Sequence, residues 1–458
     1  MAEGLCASFF LSSRLLRYHA EVFFCQTVPI EGTSMRPNIL LIITHDTGRH
    51  LGCYGRPVCS PAIDRMAGEG VRFERYFVCA PQCSPSRAAI TSGHYPHKTG
   101  MLGLLGYGGW RMGDDCPTLA KALGAAGYDT WLWGFQHEHE DPFRLGYRHD
   151  PIAYRRGEVP KILADRVTPH FCAWLETKPA EPWFASVGFY ETHLPWPKND
   201  AAALETAVPP YLPDLSELRR DMGEFQESLN RVDCAVGHII DTLDRTGMAQ
   251  RTLVIFTTDH GLPLPRAKCT LYDPGIEAAL IMRWPAVIPP NRVCSELLSA
   301  TDLMPTLLEI VGVKNPKGVD GRSFTALLTG GRYVPRREIF AEQTWHDAYA
   351  PLRAIRTDRY KLIRRFAAMP ANLLPKDFYK CCHASEKLRQ LLANTLLPDW
   401  EAYDLAADPL ETRNLASNNP EAQAELAQLV ARLKEWMQES GDPLLNGPVA
   451  CPEPFLGI

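Results

Sequence analysis

Asn38-Ile39-Leu40-Leu41-Ile42-Ile43-Thr44 runs straight into His45-Asp46-Thr47-Gly48, and the reading of this stretch decides the fold. The run is short, continuously apolar and rich in β-branched side chains, which is how a strand buried on both faces of a parallel sheet reads. Three further runs share its character: Tyr128 to Trp133, Trp183 to Tyr190 and Leu253 to Phe256. Helical patterns lie between them. Pro117 to Leu123 reads as a helix with proline near its first turn. Leu215 to Leu243 carries Leu229, Val232, Val236, Ile239 and Leu243 on one face, and Gly247 closes it. Strands alternating with helices predict an α/β domain with a mostly parallel sheet. Ligands in such sheets sit beyond the carboxyl ends of the strands. Here those ends carry His45-Asp46, His137, Glu191-Thr192-His193 and Asp259-His260-Gly261. A single such end would be an ordinary turn in which Asp46 bonds backbone amides. Four make a shared site the better reading.

Composition excludes several classes. The chain has 458 residues, 45% of them apolar and 22% charged, with a net charge of -5. Mild acidity argues against a nucleic-acid binder, which shows a basic face. It leaves an anionic substrate open, because a local cluster can be positive. The 14 cysteines are scattered, and in a chain this long they predict reduced, mostly buried thiols in a cytoplasmic protein, not a disulfide scaffold. Cys79 and Cys83, four apart, are a weak metal or redox signal with no second pair to complete a zinc site. No segment reaches the roughly 20 apolar residues of a membrane helix. In residues 1–34, Phe9-Phe10-Leu11 and Val22-Phe23-Phe24 are interrupted by Arg14, Arg17, His19 and Glu21. That is not a clear secretory signal; the expectation is a poorly structured extension or a misassigned start, with Met35 directly before the first strand.

Towards the other end, Thr301 to Val311 predicts a helix, and Pro316, Gly318 and Gly321 mark a turn-rich stretch. The domain boundary is expected near Gly330 to Val334, giving a catalytic domain over 35–332 and a smaller α+β unit over 333–458. In the latter, Leu352 to Leu362 alternates loosely and predicts an edge of an antiparallel sheet. Asn419-Pro420 would cap a last helix turning Leu426, Leu429, Leu433 and Trp436 inward.

One motif lies off the strand ends. Val71 to Val78 is extended, and Cys83-Ser84-Pro85-Ser86-Arg87 follows, with Ala88-Ala89-Ile90 able to continue a helix. A nucleophile at such a junction gains from the positive end of the helix dipole. Taken alone, Cys83 would be one more buried thiol.

From Met35 onward the chain resembles the sulfatase family, the type I formylglycine-dependent enzymes of the alkaline phosphatase superfamily. Cys83-Ser84-Pro85-Ser86-Arg87 matches the family's Cys-x-Pro-x-Arg signature, Asn38 to Tyr54 its first strand and metal loop, and Asp259-His260-Gly261 its second metal pair. Tyr403-Asp404-Leu405, Asp408-Pro409, Glu411 and Asn414-Leu415 resemble its C-terminal segment. Within the family, four stretches are similar to the heparan N-sulfatase (sulfamidase) branch: Gly100 to Leu104, Leu271 to Gly275, Trp345-His346 before Arg353, and the end around Asp442-Pro443 and Cys451.

The resemblance implies an alkaline-phosphatase-like fold and hydrolysis of a sulfuric ester or sulfamate on a saccharide, N-sulfoglucosamine being one candidate. A formylglycine-generating maturation enzyme would oxidise Cys83 to 3-oxoalanine, whose hydrate attacks sulfur through a covalent intermediate. His45, Asp46, Cys83, Asp259 and His260 would hold one divalent cation, expected as calcium because oxygen ligands favour it. Arg87 would hold the hydrate, and His137 would be the base that expels sulfate. Lys268 and His193 would contact sulfate and protonate the leaving atom, and Glu191, Arg266 and Glu342 would bind substrate. An O-sulfatase, a phosphonate or phosphodiester hydrolase of the same superfamily, and a binding protein that has lost catalysis are the other readings. Two positions depart from the family's pattern. His45 stands where the first of two aspartates is usual, and imidazole suits transition metals better than calcium. Phe135 stands where a lysine is usual, so one positive contact to sulfate is missing or comes from Arg266 or Arg49.

Overall fold

The computed structural model of the chain describes residues 36–154, 157–198, 207–369, 375–392, 396–416 and 423–454. The expected N-terminal extension and the Asn419-Pro420 cap lie outside them. Seven strands form the main sheet: β1 (Asn38–Thr44), β2 (Val71–Phe77), β3 (Asp129–Gly134), β4 (Trp183–Gly188), β5 (Thr252–Thr258), β6 (Leu280–Arg283) and β7 (Arg292–Ser299). Their order is β3-β4-β1-β5-β6-β2-β7. Every pairing is parallel except the two made by β6, with β5 and with β2.

β1 is buried along its whole length. Side chains alternate across a strand, so Ile39, Leu41 and Ile43 enter one apolar layer and Leu40 and Ile42 the other. The first layer includes Ala88, Ala89 and Ile90 of the Cys83–Ser92 helix; the second includes Leu229, Val236 and Ile240 of the Ser216–Thr246 helix. Each fully buried Ile or Leu of β1 contributes about 1.5–3 kcal/mol, and the polar residues of the strand, Asn38 and Thr44, stand only at its two ends. The long helix is amphipathic, and among the described residues no helix is long and apolar enough to cross a membrane.

Register positions the site. Thr44 of β1 lies opposite Thr258 of β5, so His45-Asp46 and Asp259-His260 leave the sheet side by side. Ile43 lies opposite Gly188 of β4, which brings Glu191-Thr192-His193 to the same end. The helix expected from Pro117 spans Leu119–Ala125; Thr118 is its cap, accepting from the Lys121 amide at 3.1 Å, so the proline precedes the cap.

A second, four-stranded antiparallel sheet consists of β8 (Glu338–Trp345), β9 (Tyr349–Thr357), β10 (Tyr360–Arg365) and β11 (Trp400–Asp404), in the order β11-β10-β9-β8. Leu352 to Leu362 therefore spans the two central strands, not an edge. Arg353 and Arg356 gave the segment its half-exposed look. Both are buried, Arg353 paired with Asp442 and Arg356 with Asp273 at 3.0 Å. The expected boundary at 332/333 falls in the connection before β8, and Leu352, Ile355 and Ile363 join the same apolar cluster as Ile39. Leu426, Leu429, Leu433 and Trp436 of the Ala424–Ser440 helix are buried against that cluster.

Candidate active site

The chain turns sharply where β1 ends. Asp46 sits at φ 51°, the left-handed region that aspartate tolerates better than most residues. On a continuing strand His45 and Asp46 would face opposite ways; the turn brings both into one site. The Asp46 amide donates to Asp259 Oδ1 at 2.9 Å, and the Gly48 amide to the His260 carbonyl at 2.7 Å, tying the two strand ends together. Gly48 permits this approach: it sits at φ 56°, and a Cβ there would lie 3.0 Å from the Gly261 Cα.

Five buried side chains converge: His45, Asp46, Cys83, Asp259 and His260 each place a ligand atom within 4.8 Å of the others. His45 Nδ1 lies 2.9 Å from Asp46 Oδ1 and 3.3 Å from Asp259 Oδ2. His260 Nε2 lies 3.0 Å from Asp46 Oδ1 and 3.3 Å from Cys83 Sγ. Cys83 is the first residue of its helix and 2% exposed. One turn on, Arg87 Nε donates to Asp259 Oδ2 at 3.0 Å, and its guanidinium lies 4.9 Å above the Phe135 ring. His137 packs against Phe135 with centroids 5.3 Å apart, and its buried Nδ1 has no hydrogen-bond partner among the described residues.

A second group adjoins the first. Lys268 Nζ donates to Asp46 Oδ2 at 2.8 Å and to Asp377 Oδ2 at 3.0 Å, and lies 3.5 Å from His193 Nε2. Lys268 is 1% exposed, whereas the side chains of His193 and Asp377 are 18% and 21% exposed. The way in from solvent therefore passes these last two. The Tyr190 hydroxyl, 3.0 Å from His193 Nδ1, orients the ring.

Charge is divided unevenly. Burial pushes His45 down to about 4, only partly offset by Asp259 and Asp46, so it is a neutral imidazole at pH 7. His137 is held well below its ordinary value by burial, then by His45 and Arg87; His193 is lowered by burial and Lys268. Burial alone would raise Asp46, but Lys268 and the surrounding histidines hold it well below the carboxylate range. Burial would also lower Lys268, yet Asp377 and Asp46 outweigh it and keep the ammonium charged. Burial pushes the Cys83 thiol well up, with Lys268 opposing. A thiol so protonated is a poor nucleophile.

Three residues expected at the substrate lie elsewhere. The Glu191 carboxylate accepts from the amide of Ala164, the first residue of the Ala164–Glu176 helix, at 2.9 Å. A helix start leaves its amides unpaired, and an acid satisfies them. Arg266 donates to the carbonyls of Leu410 and Glu411 at 2.9 and 2.7 Å, docking the C-terminal segment. Glu342 pairs with His97 Nδ1 at 2.7 Å. Arg49, the other candidate to replace the missing lysine, pairs with Glu277 at 3.0 Å. Asp377 went unread in the sequence: Pro375-Lys376-Asp377 has no fixed spacing to any strand end, so only the fold brings it to Lys268.

Comparison with known proteins agrees with this geometry. Residues 37–313 match the family described as Sulfatase, and residues 266–377 match the C-terminal part of N-sulphoglucosamine sulphohydrolase. An ulvan-active sulfatase of Formosa agariphila is 27% identical, covering 89% of this chain and 76% of its own. The N-sulphoglucosamine sulphohydrolase of Homo sapiens is 27% identical over 90% of this chain and 92% of its own. Among solved structures, a protein in complex with its substrate D-glucosamine-2-N,6-O-disulfate superposes with a TM-score of 0.69 at 19% identity, covering 90% of this chain and 99% of that one.

Proposed function

Since the chain belongs to the sulfatase family of hydrolases, we propose that it cleaves the sulfamate of an N-sulfated glucosamine, R–NH–SO₃⁻ + H₂O → R–NH₃⁺ + SO₄²⁻. One observation carries the choice of substrate. The stretch similar to N-sulphoglucosamine sulphohydrolase begins just before Lys268 and ends at Asp377, and these two side chains meet 3.0 Å apart beside Asp46.

In this reading Cys83, oxidised by a formylglycine-generating enzyme, supplies a hydrated aldehyde as nucleophile. The surroundings suit such a group: the unmodified thiol is protonated, and His137 Nδ1 has hydrogen-bonding capacity to spare. Arg87 offsets negative charge at the start of the Cys83 helix. Lys268, cationic throughout the working pH range, binds a sulfate oxygen. His193 Nε2 takes a proton from the Lys268 ammonium 3.5 Å away and passes it to the leaving nitrogen, which must depart as an amine. His137, neutral, withdraws the proton whose loss expels sulfate. His45, Asp46, Asp259 and His260 have the donor chemistry for a divalent cation, which would polarise the sulfate, but two imidazoles are not a calcium set.

Ion chromatography of the released anion, sulfate or phosphonate, with matured enzyme given N-sulfoglucosamine, an O-sulfated glucosamine and a phosphonate monoester, tests this. Turnover of the N-sulfated sugar at least about 10-fold faster is expected, a margin worth about 1.4 kcal/mol in the transition state. Faster turnover of either other substrate replaces the reading. No turnover of any, with formylglycine verified by mass, leaves a binding protein.

A further inference from the structure

We propose that the cation of this site is a transition-metal dication of the zinc or cobalt kind, not calcium, and that Phe135 is the positioning residue that makes His45 its ligand. The inference rests on the sulfatase reading only in taking the site to be metal-dependent.

The donors argue first. Calcium takes six to eight oxygens and commonly uses carboxylates bidentately. Asp46 Oδ2 is already held by Lys268 at 2.8 Å, and Asp259 Oδ2 by Arg87 at 3.0 Å. Asp259 Oδ1 also accepts the Asp46 amide at 2.9 Å, so both carboxylates already spend lone pairs on protein donors, which disfavours bidentate binding by either. The remaining fixed donors are His45 Nδ1, His260 Nε2 and the atom borne by Cys83. Two imidazoles, two single carboxylate oxygens and one further donor make a set that borderline transition metals prefer and calcium does not.

Phe135 argues second. Its ring stacks on His45 with centroids 5.0 Å apart and planes at 30°. His193 meets the His45 ring at 4.6 Å, edge to face, and Tyr190 at 5.8 Å. Aromatic neighbours on several sides fix the imidazole so that Nδ1 faces Asp46 and Asp259. A residue that fixes a ligand's orientation commonly changes metal affinity 10–100-fold when altered. The two departures from the family's pattern, His45 and Phe135, are thus one unit: the aromatic ring that replaces a lysine is the support of the imidazole that replaces an aspartate.

The test uses the intact chain, stripped with chelator and titrated calorimetrically with zinc, cobalt and calcium chlorides. About one equivalent of zinc or cobalt is expected, bound at least 100-fold tighter than calcium. H45D should narrow that ratio at least 10-fold; H45N serves if the aspartate variant fails to fold. F135A should weaken cobalt binding about 10-fold and shift the visible cobalt bands, with the lower Tm that truncating a buried ring brings, and F135Y should restore the binding and the bands. Calcium bound as tightly as zinc, or a ratio unmoved by H45D and H45N, overturns the metal assignment. Cobalt bands identical in F135A overturn the role of Phe135. Sulfate release by calcium-loaded enzyme would retire this inference and leave the sulfamate reading standing; a cobalt-loaded site that releases no sulfate from any substrate would do the reverse.

Discussion

Two buried clusters in this protein are made of nearly the same residues and behave oppositely. One is the strand-end group of His45, Asp46, Asp259 and His260 with Cys83. The other lies between the Ala424–Ser440 helix and β8, where His97, Glu342 and Asp442 come together around Arg353. In the second, His97 donates to Glu342 at 2.7 Å and its other nitrogen meets the Ser440 carbonyl at 3.2 Å. Asp442 accepts from Arg353 Nη2 at 2.9 Å and from the Leu444 amide at 3.0 Å. Its charges balance and its atoms are spoken for. Burial would lower His97, but Glu342 outweighs it, so that imidazole is raised above its ordinary value. His45, with burial dominant, is pushed the other way and stays neutral. A histidine that has found its counter-charge is finished as a ligand; one kept neutral beside two carboxylates is available to a metal.

The difference can be broken at its strongest point first. Cys83→Ala and Asp259→Ala should each lower sulfate release at least about 10³-fold, the scale on which loss of transition-state stabilisation is felt, with the fold intact by circular dichroism. Normal turnover in either would remove the strand-end group from the chemistry. The second cluster should respond in stability alone. Arg353→Met leaves two buried carboxylates with one histidine and should cost about 3–5 kcal/mol, read as a lower denaturant midpoint. Its folded fraction should bind metal and turn over as the wild type does; a loss of metal would mean the clusters communicate. The smallest effect is His97→Gln. Because the folded state raises His97, its contribution is fully present below the ordinary value of 6.5 and is lost as pH rises through the raised value. The Tm gap between wild type and variant should therefore be roughly 2 °C in acid and close as pH rises. A gap that widens with pH would mean His97 is neutral in the fold.

Strands and strand ends were legible in the sequence because β1 and β5 are buried on both faces and leave no room for polar residues except where the chain exits. Lys268, off any strand end, was reached through the resemblance. What escaped depends on pairing across long separations. Leu352 to Leu362 read as a sheet edge because the partners that bury Arg353 and Arg356, Asp442 and Asp273, lie 89 and 83 residues away. Glu191 stands two residues from His193, yet its carboxylate turns to the Ala164 amide. Arg266 is two residues from Lys268 but adopts φ 62° and points to the C-terminal segment. Proximity along the chain does not carry over to the site where the backbone reverses.

The depth of Cys83 also sets a clock. At 2% exposure, with His260 across its sulfur and Asp259 bonded to the adjoining turn by Ser86 and Arg87, this side chain is beyond the reach of any modifying enzyme once the fold closes. Closure cannot happen before Asp259 exists, and 176 residues separate the two. At synthesis rates of about 5–20 residues per second, that gap lasts roughly 9–35 s. Under the proposed function, oxidation of Cys83 would be a race against the emergence of β5, and slower translation between the two positions should raise the share of chains that win it.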